Sequence, residues 1–313
     1  MWREEASIGK LQVGHSIQGL VTTVPTAGKR GYEPGAVVLL KGAVLGQCPR
    51  WVNVGSKTSC LFVPEGPVLG YGFKSAGGPI DCTNGSTTLV IGQDLIKGPD
   101  IVFAGHAVSD DNDQIVSVRA DDAKNNAVIT AAADPLVAHD YVWASLRNKC
   151  VPDWDVFAAG IHTTVGGAAA EAITVAGVLA TDIAFAVIRT TDDTDVISDV
   201  ACTANTVTVT FSADPLVAHV VDYVVLRPRG TFKPSHYVAY AGEYDAVAGD
   251  TTTVAITVTG ALATDVLMLN YSQTNDTDTL VSAILSADTL TLTVSADPVT
   301  DHSWNYAVLR AYS

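Results

Sequence analysis

Charge is scarce in this chain and mostly of one sign. Asp, Glu, Lys and Arg make up 16% of its 313 residues, with 18 basic against 33 acidic, a formal net charge of −15. A surface of that sign repels a phosphate backbone, which argues against a nucleic-acid partner. Long apolar runs are missing as well. The longest stretch, 172–188, is interrupted by Gly177 and Asp182 and reads as two strands around a turn, not as a membrane span. The first twenty residues contain Glu4 and Glu5 and no continuous apolar core, so no secretory signal is expected and the chain reads as soluble. Five cysteines (Cys48, Cys60, Cys82, Cys150 and Cys202) stand at irregular spacings without a C-x-x-C pair, which leaves reduced, structural thiols as the reading. Helical periodicity is absent beyond a turn or two.

What the chain does have is 48% hydrophobic residues, enough to build cores, and an abundance of Thr, Val, Ala, Asp and Gly suited to half-buried strands joined by polar turns. It also repeats itself. The first copy has Pro99-Asp100-Ile101, SDDNDQI at 109–115 and AADPLVAHDYVWASLR ending at Arg147; the second has Thr181-Asp182-Ile183, TDDTDVI at 191–197 and SADPLVAHVVDYVVLR ending at Arg227. The third has Thr264-Asp265-Val266, TNDTDTL at 274–280 and SADPVTDHSWNYAVLR ending at Arg310. Asp100 to Asp113, Asp134 to Arg147 and their counterparts in the other copies are all thirteen residues apart, and the copies follow one another at 80 and then 83 residues. His139, His219 and His302 lie five residues after the later Asp, with Trp143, Tyr223 and Tyr306 four further on.

Within a copy, short runs alternate with period two between Asp, Asn, Ser or Pro, about six or seven strands in about 80 residues, which predicts a compact antiparallel sandwich. Residues 1–66 differ: seven basic and four acidic residues give them +3 and leave the remainder at −18. The charge step places a boundary near Gly66-Pro67. The predicted fold is therefore all-β, a small N-terminal β-domain (1–66) followed by three tandem sandwich repeats of immunoglobulin-like or jelly-roll-like type at 67–150, 151–232 and 233–313.

Few residues suggest chemistry. Gly14-His15-Ser16-Ile17-Gln18-Gly19 misses the nucleophile-elbow spacing by one residue, and Gly70-Tyr71-Gly72 lacks the third glycine of a dinucleotide loop. The Asp-rich turns (Asp110, Asp111, Asp113; Asp192, Asp193, Asp195; Asp276, Asp278) lack the glycine and bidentate Glu of a calcium loop and read as solvated hairpin tips. The recurring Asp-Pro is turn chemistry, and the recurring Asp, His and Arg read as structure, with Asp134–Arg147 and its two equivalents expected to pair across strands. No catalytic, cofactor-binding or metal-binding residue is assigned, and the chain is not expected to be an enzyme.

The opening strand (AITVAG at 172–177, AITVTG at 255–260), the Leu-Ala-Thr-Asp turn, the Asp-rich turn, Ser-Ala-Asp-Pro and the closing aromatic-x-x-Leu-Arg strand resemble the β-sandwich modules of tailed-bacteriophage structural proteins, above all head decoration and head-fibre proteins. The resemblance implies a virion component on the outer capsid surface, without enzymatic activity, often trimeric, with the major capsid protein as partner. Residues 1–66 would form the anchor and the acidic repeats a projecting stalk. Two alternatives stay open. One is a tail-fibre or baseplate protein that binds a host receptor through Trp304, Tyr306 and Tyr312. The other is a carbohydrate-binding module for a host-surface glycan, for which Asp153, Trp154 and Asp155 form the local cluster.

Overall fold

The computed structural model describes residues 11–13, 16–25, 27–44, 47–65, 68, 70–82, 87–92, 96–97, 99–108, 115–121, 126–131, 139–190, 196–213, 217–230, 232–246, 252–273, 280–295 and 302–312. These residues hold twenty-three strands and no helix. The first five, β1 (Leu11–Val13), β2 (Ser16–Val21), β3 (Val37–Leu40), β4 (Arg50–Asn53) and β5 (Phe62–Pro64), form one sheet in sequence order, antiparallel except for the β2–β3 pair. Its core gathers Val21, Tyr32, Val38, Trp51 and Phe62.

The other eighteen strands fall into three sets of six. The first set is β6 (Tyr71–Cys82), β7 (Thr88–Gly92), β8 (Ile101–Val108), β9 (Ile115–Asp121), β10 (Asn126–Ala131) and β11 (His139–Asn148). The second is β12 (Trp154–Thr163), β13 (Ala170–Thr174), β14 (Ile183–Thr190), β15 (Ile197–Thr203), β16 (Thr206–Phe211) and β17 (Val220–Pro228). The third is β18 (His236–Ala246), β19 (Thr253–Thr257), β20 (Val266–Gln273), β21 (Leu280–Ser286), β22 (Thr289–Val294) and β23 (His302–Ala311). In each set the first, sixth and third strands pair in that order, and the second, fifth and fourth pair in a separate sheet. The two sheets face each other over a private core, such as Ile173, Val200, Val207, Val209 and Val221 in the second set.

The two sheets are buried differently, and the sequence shows why. The fifth strands of repeats two and three alternate strictly, with TVTVTF at β16 and TLTLTV at β22 both half-buried and buried in turn, so one face packs inward and the other meets water. The sixth strands are buried and mainly apolar on both faces; in β11, Tyr141 to Leu146 are all buried. Their second face has somewhere to go. Phe73, Val156 and Val238 from the first strands, Phe103, Phe185 and Met268 from the third, and Leu146, Leu226 and Leu309 from the sixth meet in one shared core. Those three triplets are equivalent positions of the repeats, so the sandwiches surround a pseudo-threefold axis and do not extend as a string.

The ring closes on itself. The third strand of each set lies against the fourth strand of the next: β8 on β15, β14 on β21 and β20 on β9. At one seam the inner sheets also join edge to edge through Val156 and His236, which makes a six-stranded sheet of repeats two and three. A heterologous contact that returns to its start after three steps leaves no open copy of itself. The chain end returns too. Tyr312 packs edge-on against Trp51 of the N-terminal sheet, with ring centroids 5.4 Å apart.

Aromatic residues four positions after the recurring His sit over glycines of the neighbouring strand. A Cβ at Gly77 would lie 3.0 Å from Trp143, and Cβ atoms at Gly160 and Gly242 would lie 2.8 Å from the hydroxyls of Tyr223 and Tyr306. The glycine lets the ring lie flat across the sheet, which explains the threefold recurrence of both residues.

Because all three inter-repeat contacts are made within one chain, we expect sedimentation of the purified protein to give a single species of 32.6 kDa. A stable species of three times that mass would show that a further interface exists.

Candidate functional site

The most strongly repeated polar feature is a buried ion pair at the start of each third strand. In all three repeats an Asp carboxylate accepts the backbone N–H three residues earlier, from Lys97, Leu179 and Leu262, each at 2.9 Å. The Asp N–H donates back to the carbonyl of the same residue, closing a one-turn clasp. Both carboxylate oxygens then take a fork from the Arg that ends the sixth strand. Arg147 reaches Asp100 at 2.8 and 2.7 Å, Arg227 reaches Asp182 at 2.7 and 2.5 Å, and Arg310 reaches Asp265 at 2.9 and 2.6 Å.

The three carboxylates are almost wholly buried, at 0%, 1% and 2% side-chain exposure, so each needs its cation. The pairing in turn holds the Arg147 and Arg310 guanidinium groups above their ordinary range. A second donor bond from Arg227 to the Gly177 carbonyl, and from Arg310 to that of Gly260, ties in the turn after the opening strand. The hairpin tips Asn205 and Asp288, both at positive φ, accept the N–H of the same two glycines. The expected pairing involves other carboxylates. The repeated Arg meets the Asp that opens the third strand, while Asp134, Asp214 and Asp297 lie outside the described residues.

The other candidates resolve one by one. The Asp-rich turn residues Asp110, Asp111, Asp113, Asp192, Asp193, Asp195, Asp276 and Asp278 lie outside the described residues, as do the side chains of His139 and His302. His219 is fully buried; its backbone N–H donates to Thr164 Oγ1 at 2.8 Å and its ring lies 5.2 Å from Phe211. Trp304 is buried against Tyr271, Tyr306 covers Gly242, and Tyr312 lies between Trp51 and Tyr237. None of these rings is presented at a tip.

Asp153 pairs with Lys74 at 2.5 Å and Asp155 with Arg229 at 2.9 Å, while Trp154 packs against the shared core. Burial pushes the Asp155 carboxyl up, and Arg229 works against that shift. Cys48, Cys60 and Cys150 are buried thiols, and burial pushes the half-buried Cys202 thiol up to about 12. Among the described residues no three His, Cys, Asp or Glu side chains gather as a metal site.

Two features had no advance signal. One is a buried tie at the seam between repeats two and three: Arg189 forks onto Asp222 at 2.9 Å and also donates to the carbonyls of Ala263 and Asp265, and Asp222 accepts the Leu267 N–H. Neither residue is repeated, so no pattern pointed to them. The other is a cavity of about 190 Å³ on the pseudo-threefold axis, lined by the third strands of all three repeats, beyond the Phe103, Phe185 and Met268 layer. It is visible only once the repeats are seen to share a core. No protein-family model, curated protein or solved structure matches the chain.

Arg227→Met leaves the Asp182 carboxylate buried without its cation and should cost about 3 kcal/mol in urea unfolding; a loss below about 0.5 kcal/mol, the level of an ordinary surface substitution, would show that the pair is not a structural lock. His236 is half-buried beside Ser235, and burial holds its imidazole below its ordinary 6.5, with Asp265 acting in the opposite direction. The unfolded chain therefore takes up that proton more readily, so this stability is complete above pH about 6.5 and falls as the pH drops below it. His236→Gln should flatten the fall in melting temperature between pH 7.5 and 5.5 relative to the native chain.

Proposed function

We propose that the chain is a structural component of a tailed-phage virion that decorates and cements the outer capsid surface. The major capsid protein is its partner, residues 1–66 are the anchor, and the repeats face outward. The observation that carries this reading is where the threefold-repeated residues go. Asp100, Asp182 and Asp265, their arginines, and the Trp143, Tyr223 and Tyr306 rings are all used up in clasps, locks and ring-over-glycine packing. Among the described residues, the polar chemistry that recurs is the chemistry of a durable brick. The threefold order that the resemblance implies between chains is present inside one chain, which supplies one anchor for three sandwiches.

This reading is favoured over a receptor-binding fibre because Trp304, Tyr306 and Tyr312 are engaged in packing, and over a glycan module because Asp153 and Asp155 are each engaged by a cation. Of the described basic residues in the N-terminal domain, Arg50 and Lys57 are exposed and pair with Glu65 and Glu33, and the other two exposed ones are Arg30 and Lys41. Reversing both to Glu should abolish binding to capsids that lack the protein, with no change in melting temperature. The same reversal at the exposed Arg119 of the first repeat should leave binding intact. Electron microscopy of decorated particles reads both. Loss of binding with Arg119→Glu alone would place the anchor in the repeats, and density on the tail would overturn the head assignment.

A further inference from the structure

The three seams around the axis are not alike. At equivalent positions of the sixth strands stand Val142, Asp222 and Asn305. Asp222 accepts the N–H of Leu267 in the third repeat, and Asn305 donates to the carbonyls of Val102 and Val118 in the first, at 3.0 and 3.2 Å. Val142 offers the second repeat no hydrogen-bonding group.

The axial cavity adjoins this apolar seam. Phe103 and Gly105 of repeat one, Phe185 and Val187 of repeat two, and Met268 and Asn270 of repeat three line it. Gly105, Val187 and Asn270 are again equivalent positions. The atoms nearest to a Cβ on Gly105 would be those of Phe185 at 3.5 Å and Val142 at 3.7 Å, ordinary contacts, so close packing does not require glycine and a methyl has room there. Asn270 Oδ1 is buried and accepts no hydrogen bond among the described residues. A buried acceptor without a donor is costly, and it marks where a donor belongs.

We infer that this cavity binds a small, uncharged ring compound carrying one N–H or O–H donor, of the size of phenol or indole. The ring lies among Phe103, Phe185 and Met268, and its donor meets Asn270 Oδ1. The size fits: dry cavities of about 150 Å³ in other proteins take up benzene, and this one measures about 190 Å³. A thioether and two phenyl rings are suited to an aromatic face. An anion is disfavoured because Asp199 also lines the cavity.

The test is titration calorimetry and thermal denaturation of the full chain with phenol, indole and benzene as probes. One phenol or indole should bind per chain and raise the melting temperature by about 2 °C at tenfold excess over Kd. Benzene should bind about tenfold more weakly, the worth of one hydrogen bond. Asn270→Val, which copies the residue of repeat two, should bring phenol down to the level of benzene. Gly105→Val should abolish binding of all three, and Gly105→Ala, whose methyl meets only ordinary contacts, should weaken it while the fold is kept. Absence of binding by every probe would mean that the chain fills this space itself, and would overturn the proposal. So would unchanged binding in Gly105→Val, and an undiminished preference for phenol in Asn270→Val would overturn the role of Asn270.

Discussion

The structure depends on one constraint: the inner sheet of each repeat is apolar on both faces and cannot be left with one of them in water. A three-stranded sheet with a single apolar face needs one partner, which the outer sheet of the same sandwich supplies. The second face, carrying Phe73, Phe103 and Leu146 or their equivalents, needs a further partner, and at this length the chain supplies it from its own copies. Three such faces meeting on an axis bury one another completely, with Ala144, Ala307 and Leu309 at 0% exposure. Isolated repeats would each expose that face, so they are structurally interdependent although each has a private core.

Much of this was legible in the sequence. The all-β class follows from period-two alternation, and the six strands of each copy lie within the six or seven that the alternation predicted. The ring was not legible. A sixth strand such as VVDYVVLRP is mainly apolar on both faces whether its second face meets a copy in the same chain, another chain or a different protein, so periodicity reports burial without naming what covers it. The projecting stalk was the natural picture of a tandem array, and the shared core replaces it.

The lock illustrates a different limit. Constant spacing drew attention to one Asp for each Arg, and the fork that the described residues show goes to another. Asp134 and its equivalents stand thirteen residues before the Arg in every copy, whereas the actual partners are separated by 47, 45 and 45 residues. Spacing along the chain measures loop length, and one loop in the first repeat differs by two residues. Contact across a sheet is set by pairing: Leu146 faces Ile101, Leu226 faces Ile183 and Leu309 faces Val266, which puts the residue after each Leu beside the residue before its partner. Register, not interval, is the conserved quantity.

Where the repeats differ from one another is as informative as where they agree. Residues that hold a single sandwich together are repeated, since all three copies meet the same need. Residues on the axis face three different neighbours, and there the copies diverge: Val142, Asp222 and Asn305 at one level, Gly105, Val187 and Asn270 at another. A homotrimer would have to place the same residue three times at each of these levels and could not bury a lone Arg189–Asp222 pair at one seam only. Joining the copies in one chain removes that restriction. The asymmetric core is therefore available only to the fused form, and the cavity beside Gly105 and Asn270 is a direct consequence of it.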